Sequence, residues 1–158
     1  MAGKKRNTMR LDTTAIETML KNFEKTGHDI GKIAEKALLE AGQKITADTN
    51  AAIQKPNLPR GGRYSGGDTA RSIIQNPEVK WVGGVATMNV GFDFDKKGAG
   101  GFLIGGYFYN DKRTGTPKHM SKVPELDEIY KGKKYMNRIK EQMTKSVEQS
   151  IKEELEVK

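Results

Sequence analysis

Residues 29–54 carry Ile30, Ile33, Ala34, Ala37, Leu38, Ala41, Ile45, Thr49, Ala52 and Ile53 along one stripe. The spacing follows i, i+3, i+4, i+7 over about seven turns, at ~3.6 residues per turn. A strand alternates with period two and cannot bury such a stripe. A long amphipathic helix is therefore the element around which the rest of the chain must be arranged. Pro56 and Pro59 end it. Many stripe residues are alanine, so a partner backbone can come close. The helix is expected to lie flat against a sheet or another helix.

A hairpin supplies a candidate partner. Gly83-Gly84 is a two-residue turn signal. Such a turn pairs Val82 with Val85, Trp81 with Ala86, and Val79 with Met88. Cross-strand partners share a face. One face then carries Val79, Trp81, Ala86, Met88, Val90 and Phe92, and the other Glu78, Lys80, Val82, Val85, Thr87 and Asn89. One register thus gives one apolar face, as a half-buried antiparallel sheet requires. Residues 102–109, rich in aromatics but interrupted by Gly105-Gly106, read as a third strand or a short irregular element.

Two further helices are expected. Asp12, Thr13 or Thr14 caps a first one reaching about Thr26, with Ile16, Met19, Leu20 and Phe23 at helical spacing and Gly27 as its stop. The last helix, 133–156, repeats Tyr135, Ile139, Met143, Val147, Ile151 and Leu155 every four residues. A strict four-residue step drifts by ~40° per step around an α-helix. The distal end of that stripe should therefore leave the core and meet another partner or solvent. Between these elements, Asp68 is expected to cap a short helix containing Ala70, Ile73 and Ile74. Residues 59–67, 93–101 and 110–124 read as loops. The fold class is α+β, a small antiparallel sheet packed on the long helix. Its organisation is a basic arm (1–10), an α+β domain (11–130) and a C-terminal helix (131–158).

Composition bounds the function. The chain has 158 residues, 35% apolar and 30% charged, with no cysteine. Disulfides and thiolate metal sites are thereby excluded. No apolar run approaches the ~20 residues needed to span a bilayer. The basic start of the chain lacks a following apolar stretch, which argues against a secretory signal and for a cytosolic product. Net charge is +8 with a pI of about 9.6. The charge is clustered: Lys4, Lys5, Arg6 and Arg10; then Arg60, Arg63 and Arg71 around a glycine-rich turn; then Lys131, Lys133, Lys134, Arg138 and Lys140. Such clusters suit polyanions or acidic protein faces, or simply a solvated surface.

Catalytic patterns are missing. His28 and His119 are far apart and lack metal-ligand spacing. Asp93 and Asp95 are followed by Lys96, Lys97 and glycines, which is no calcium loop. Gly98 to Gly101 completes neither a dinucleotide nor a phosphate-loop pattern. Ser65 has no nucleophile elbow around it. The chain reads as a non-enzyme without metal or cofactor.

The order of parts carries a resemblance. The long helix and proline-containing loop lead to Gly-Asp-Thr-Ala-Arg-Ser-Ile (67–73). A hairpin ending Val90-Gly91-Phe92-Asp93 follows, then Phe102-Leu103, then Gly115-Thr116-Pro117 in a basic loop, then a final amphipathic helix. Across about residues 11–150 this resembles the tail-component family of long-tailed phages, small proteins of the head–tail junction. Members carry a thr-gly-x-leu-x-x-ser-ile segment, a strand ending val-gly-phe-asp, and phe-leu-glu-x-gly-thr before a proline-rich stretch. Asp68, Arg71, Ser72 and Ile73 match the first, and residues 90–93 the second. Phe102 and Leu103 match the third in part, with Ile104 in place of the acid and Gly-Thr displaced to Gly115-Thr116.

The resemblance implies a virion protein assembled in the host cytoplasm. It would act as a tail-completion or head–tail joining subunit, usually in a six-fold ring. Its partners would be the tail terminator, tail tube or head stopper, with DNA contact in the channel open. Subunit or partner contacts then fall to the loop residues Arg60, Arg63 and Tyr64 and the aromatic run Tyr107, Phe108 and Tyr109. The basic loop adds Arg113, Lys118 and His119, and the winding stripe adds Val147, Ile151 and Leu155. Lys4, Lys5, Arg6 and Arg10 are candidates for polyanion contact. For residues 107–109, ordinary packing at a sheet edge is the reading slightly preferred over an interface. The competing reading is a basic nucleic-acid-binding module. The pI favours it, but readout motifs are lacking and the aromatics do not interleave with the basic clusters.

Overall fold

The computed structural model describes residues 12–25, 29–54, 67–82, 84–96 and 100–156. In chain order the elements are α1 (Thr14–Glu24), α2 (Ile30–Ile53), α3 (Asp68–Arg71), β1 (Val79–Val82), β2 (Val85–Met88), α4 (Gly100–Gly105), β3 (Tyr107–Asn110), β4 (Pro117–Met120), α5 (Pro124–Lys131) and α6 (Lys133–Glu156). The fold is α+β. The expected stop of the first helix at Gly27 lies outside the described residues.

The long helix spans what its stripe predicts. The Asp29 side chain caps it by accepting from the Gly31 amide at 3.0 Å. Its most extensive partner is α6. The two run antiparallel: the Tyr135 hydroxyl at the start of α6 donates to Asp48 near the end of α2 at 2.7 Å, while Lys36 faces Glu153 at 3.6 Å at the other end. Ile33, Ala37, Ala41, Ile45 and Ala52 of α2 are buried in one core with Tyr135, Ile139, Met143 and Val147 of α6. Fully burying each large aliphatic contributes roughly 1.5–3 kcal/mol. The small residues of α2 thus belong to a helix pair before they belong to a sheet. Ile16, Leu20 and Phe23 of α1 and Leu126 and Ile129 of α5 close the core. The start of α1 is fixed by Asp12, which accepts from the Thr14 amide and hydroxyl at 3.2 and 2.6 Å. Lys140 of α6 reaches the same carboxylate at 3.4 Å.

The β1–β2 hairpin has the expected register, with Val79 opposite Met88, Trp81 opposite Ala86 and Val82 opposite Val85. Gly84 sits at φ +80°, where L side chains are strained. The predicted faces hold too. Val79, Ala86, Met88 and Val90 are half-buried and Phe92 is buried, while Val82 and Val85 are exposed. The hairpin rests on α2 through Met88, whose thioether fills the space left by the missing side chain of Gly42. Trp81 lies at the rim, 45% exposed, its indole N–H donating to Glu35 at 2.6 Å.

Three segments differ from expectation. First, α3 stops at Arg71, its cap is Gly67 in the left-handed region (φ +77°), and Asp68 pairs with Arg71 in its first turn. Ile73 and Ile74 lie beyond it in extended chain. Second, residues 100–105 are helical. The strand begins only at Tyr107, after Gly106 at φ +70° closes α4 by donating its amide to the Phe102 carbonyl at 2.6 Å. The glycine pair is a helix stop. Third, the segment 110–124 contains β4, which pairs with β3 in a second two-stranded sheet separate from β1–β2. Pro124 then opens α5 at a first-turn position, where its missing N–H costs nothing.

Candidate assembly surfaces

The β3–β4 hairpin is an arm. Its strands pair Tyr107 with Met120, Phe108 with His119, Tyr109 with Lys118 and Asn110 with Pro117. Beyond this pairing the arm makes little contact with the other elements. Its root is a single clasp, the Val123 amide donating to the Leu103 carbonyl at 2.7 Å. Asp111 organises its turn. The Asp111 carboxylate accepts from the Arg113 amide at 2.9 Å and pairs with Lys118, while its carbonyl accepts from the Thr114 and Gly115 amides at 3.2 and 2.7 Å. The Lys118 ammonium and then the Arg113 amide hold this carboxyl below the usual aspartate range. Phe108 is 78% exposed, its ring 4.5 Å from the His119 imidazole. Residues 107–122 hold Lys112, Arg113, Lys118 and Lys122 but one carboxylate, Asp111, and of these cations Lys118 pairs with Asp111 and Lys122 with Asp127 of α5.

The three motif segments form one joint in space. The Ile74 amide donates to Gly91 at 2.8 Å, the Asp93 amide donates to Ser72 at 2.6 Å, and Ile73 bridges Phe92. Gly100, which opens the third segment, lies against the Phe92 ring so closely that a Cβ there would collide with it. Gly91, at φ +95°, lies equally close to Tyr130 of α5. Tyr130 in turn shares a hydrogen bond of 3.0 Å with Thr49 of α2, and its burial raises the phenol above its ordinary range. Thr46 and Asn50 of α2 tie down the Ile74 carbonyl at 3.3 Å and the Gln75 side chain at 3.1 Å. The joint therefore holds α3, the hairpin and α4 against the C-terminal half of α2, and α4 and α5 carry the root of the arm.

The distal end of α6 divides the expected interface stripe. Val147 is fully buried inside the chain and belongs to the core, not to an intersubunit face. The drift of the four-residue step is offset by a three-residue step from Val147 to Ser150, which keeps the helix on the core for one more turn. Only past it does the stripe come free, with Ile151 half-buried and Leu155 55% exposed. Around Leu155 stand Glu148, Glu153, Glu154 and Glu156, with Lys152 the one cation among residues 148–156. This acidic end was not read from the sequence, although the count of acids in the last two turns carries the signal.

Of the other sequence candidates, His119 lies against Phe108, Lys118 pairs with Asp111 and opposes Tyr109 in the ladder, Arg113 lies in the turn, and the backbones of Tyr107 and Tyr109 lie in β3. Arg60, Arg63, Tyr64, Lys4, Lys5, Arg6, Arg10 and His28 lie outside the described residues. Asp93 accepts from the Asp95 amide at 3.1 Å and faces Lys96 at 3.8 Å, a self-contained turn. Among the described residues no group of three or more His, Asp or Glu could hold a metal ion, and no helix is long and apolar enough to cross a membrane. A cleft of about 260 Å³ lies between α2 and α6, lined by Lys32, Ile33, Lys36, Ser150, Glu153 and Glu154. Its walls are bridged by the Lys36–Glu153 pair. No family model, curated protein or solved structure matches the chain.

Proposed function

We propose that this chain is a structural subunit of a tailed-phage virion, a tail-completion or head–tail joining protein that acts by assembling into a ring. The observation that carries this reading is the joint. Two segments bearing the family resemblance, residues 68–73 and 90–93, are apart in sequence and bond to one another, and Gly100, just before the third at 102–103, seats against Phe92 at the start of the helix that leads into the arm. A two-stranded hairpin alone is marginal in water. An arm of this kind, cationic and bearing an exposed phenylalanine, gains its order and its energy from a partner. No catalytic role is proposed.

The test is genetic and microscopic. In the phage or prophage that encodes it, deletion of the gene should leave heads and tails that accumulate unjoined, visible by electron microscopy of the lysate. Intact infectious particles at normal titre would refute the proposal. Tight, salt-resistant binding to DNA with no association to tails would instead favour the nucleic-acid reading.

A further inference from the structure

The arm and the free end of α6 are complementary. The arm carries four cations against one carboxylate; residues 148–156 carry four carboxylates against one cation. Each segment also carries a large exposed apolar side chain, Phe108 on the arm and Leu155 on α6. Some of these charges are already paired within the chain, Lys118 with Asp111, Lys122 with Asp127 and Glu153 with Lys36. Lys112, Arg113, Glu148 and Glu156 make no ion pair with any described residue. Each patch thus keeps uncommitted charge of one sign. The two patches do not pack on one another within the chain. They are carried from different parts of α2, the arm by way of Tyr130 at Thr49 and the acidic end by way of Glu153 at Lys36.

We infer that the β3–β4 arm of one copy docks on the acidic end of α6 of the next copy, Phe108 packing beside Leu155 within a frame of opposite charges. The contact joins two different surfaces, so it is head-to-tail and propagates into a ring or an open chain rather than stopping at a symmetric dimer. This rests on the assembly reading above and names the two faces that assembly uses. Because the charged frame is exposed at both patches, the contact weakens as salt rises.

The chain has no cysteine, so two introduced thiols report the contact directly. Full-length chains carrying F108C or L155C, distinguished by tags of different size, are mixed and oxidised. Disulfides between the two variants should outnumber those between identical copies. A chain carrying both cysteines should give a ladder of covalent oligomers on a denaturing gel. Both signals should fall by about tenfold between 0.1 M and 1 M salt, as the screening length drops from about 10 to about 3 Å. K112E/R113E alone, or E148K/E156K alone, should abolish crosslinking. A chain carrying both reversals should recover it. Identical-copy dimers in excess, a ladder insensitive to both reversals, or no interchain disulfide would each overturn the inference. The outcome is separable from the functional proposal. A chain that fails these crosslinks yet whose deletion leaves heads and tails unjoined keeps its place in the virion and loses only this contact.

Discussion

The α2–α6 pair and the β3–β4 arm solve opposite problems with the same chain. The pair hides nearly everything it has: Ala37, Ile139 and Val147 are sealed, and the two polar ties at its ends, Tyr135 to Asp48 and Lys36 to Glu153, set the direction of packing. On the arm, by contrast, Phe108 stands 78% exposed. The arm's order comes from the ladder between its own strands and from Asp111 at the turn. Stability is therefore concentrated in the helices, and on the proposed assembly reading the arm is the part offered to a partner. Substitutions should separate the two cleanly.

The largest effect belongs in the helix pair. Ile139, 1% exposed, lies among the buried residues shared by α2 and α6. Ile139→Ala should cost about 2–5 kcal/mol in chemical denaturation, transfer and cavity terms together. Phe108→Ala on the arm should change the same midpoint by less than about 0.5 kcal/mol. Equal costs at the two positions would break the contrast.

The joint comes next, because it links the two regions. Gly91 holds φ +95° with Tyr130 pressed against it. Gly91→Ala should destabilise by about 1–3 kcal/mol through left-handed strain. It should also displace Tyr130 from Thr49, so amide exchange should rise in both α5 and the arm rooted beside it. Strain without faster exchange in the arm would show that the arm is held independently of the joint.

Tyr135→Phe removes one hydroxyl from the pair. The hydrogen bond to the Asp48 carboxylate is a charge-assisted one, and its loss should cost roughly 1.5–3 kcal/mol at most, less to the extent that water reaches Asp48. The pH dependence has a definite sign. Burial, then Asp48, raise the Tyr135 phenol well above its ordinary value of 10.0 in the folded chain. The folded state thus holds this proton more tightly than the unfolded state. The stabilisation is complete below pH ~10 and declines as pH rises above it. Tyr135→Phe should flatten that alkaline decline, leaving the smaller part due to Tyr130. The share of the tyrosinate absorbance that Tyr135→Phe removes should appear only as the protein unfolds.

These contrasts also mark how far the sequence could be read. Both ends of α2, the span of α6 and the register of β1–β2 follow from patterns long enough to exclude the alternatives. The short elements do not. Residues 102–105 are apolar enough for a strand, and what makes them helical is a left-handed turn at Gly106 together with the seat of Gly100 on Phe92, neither of which has a local signature. β4 has no alternation to detect, since Pro117, Lys118 and His119 owe their pairing to the turn at Asp111. α5 was missed because eight residues hold only Leu126 and Ile129 as its buried pair. On the arm, Phe108, Arg113, Lys118 and His119 are candidates only through the resemblance, and the sequence carries no sign of the hairpin that holds them. Val147 falls to the core because the four-residue stripe from Tyr135 stays buried through it, and the three-residue step to Ser150 then holds the helix on the core for one more turn.

The smallest global effect, and the sharpest local one, is expected at Asp111. Its carboxylate ties the Arg113 amide and Lys118 together across the turn, and both partners lie in the arm. Because these groups are solvent-exposed, the midpoint of global unfolding should not move measurably on Asp111→Ala. The amides of Arg113, Thr114 and Gly115 should nonetheless exchange faster, since the turn loses the acceptor that fixes it. The folded carboxyl lies below its usual range, so the turn keeps this support above pH ~4 and loses it as pH falls below that value. Acidification far enough below the usual carboxylate range to protonate Asp111 in the folded chain should therefore reproduce the exchange pattern of Asp111→Ala in the arm while the α2–α6 amides stay protected. If the helix pair loosens first, order in the arm does not depend on Asp111, and the division between a self-sufficient core and a partner-dependent arm fails.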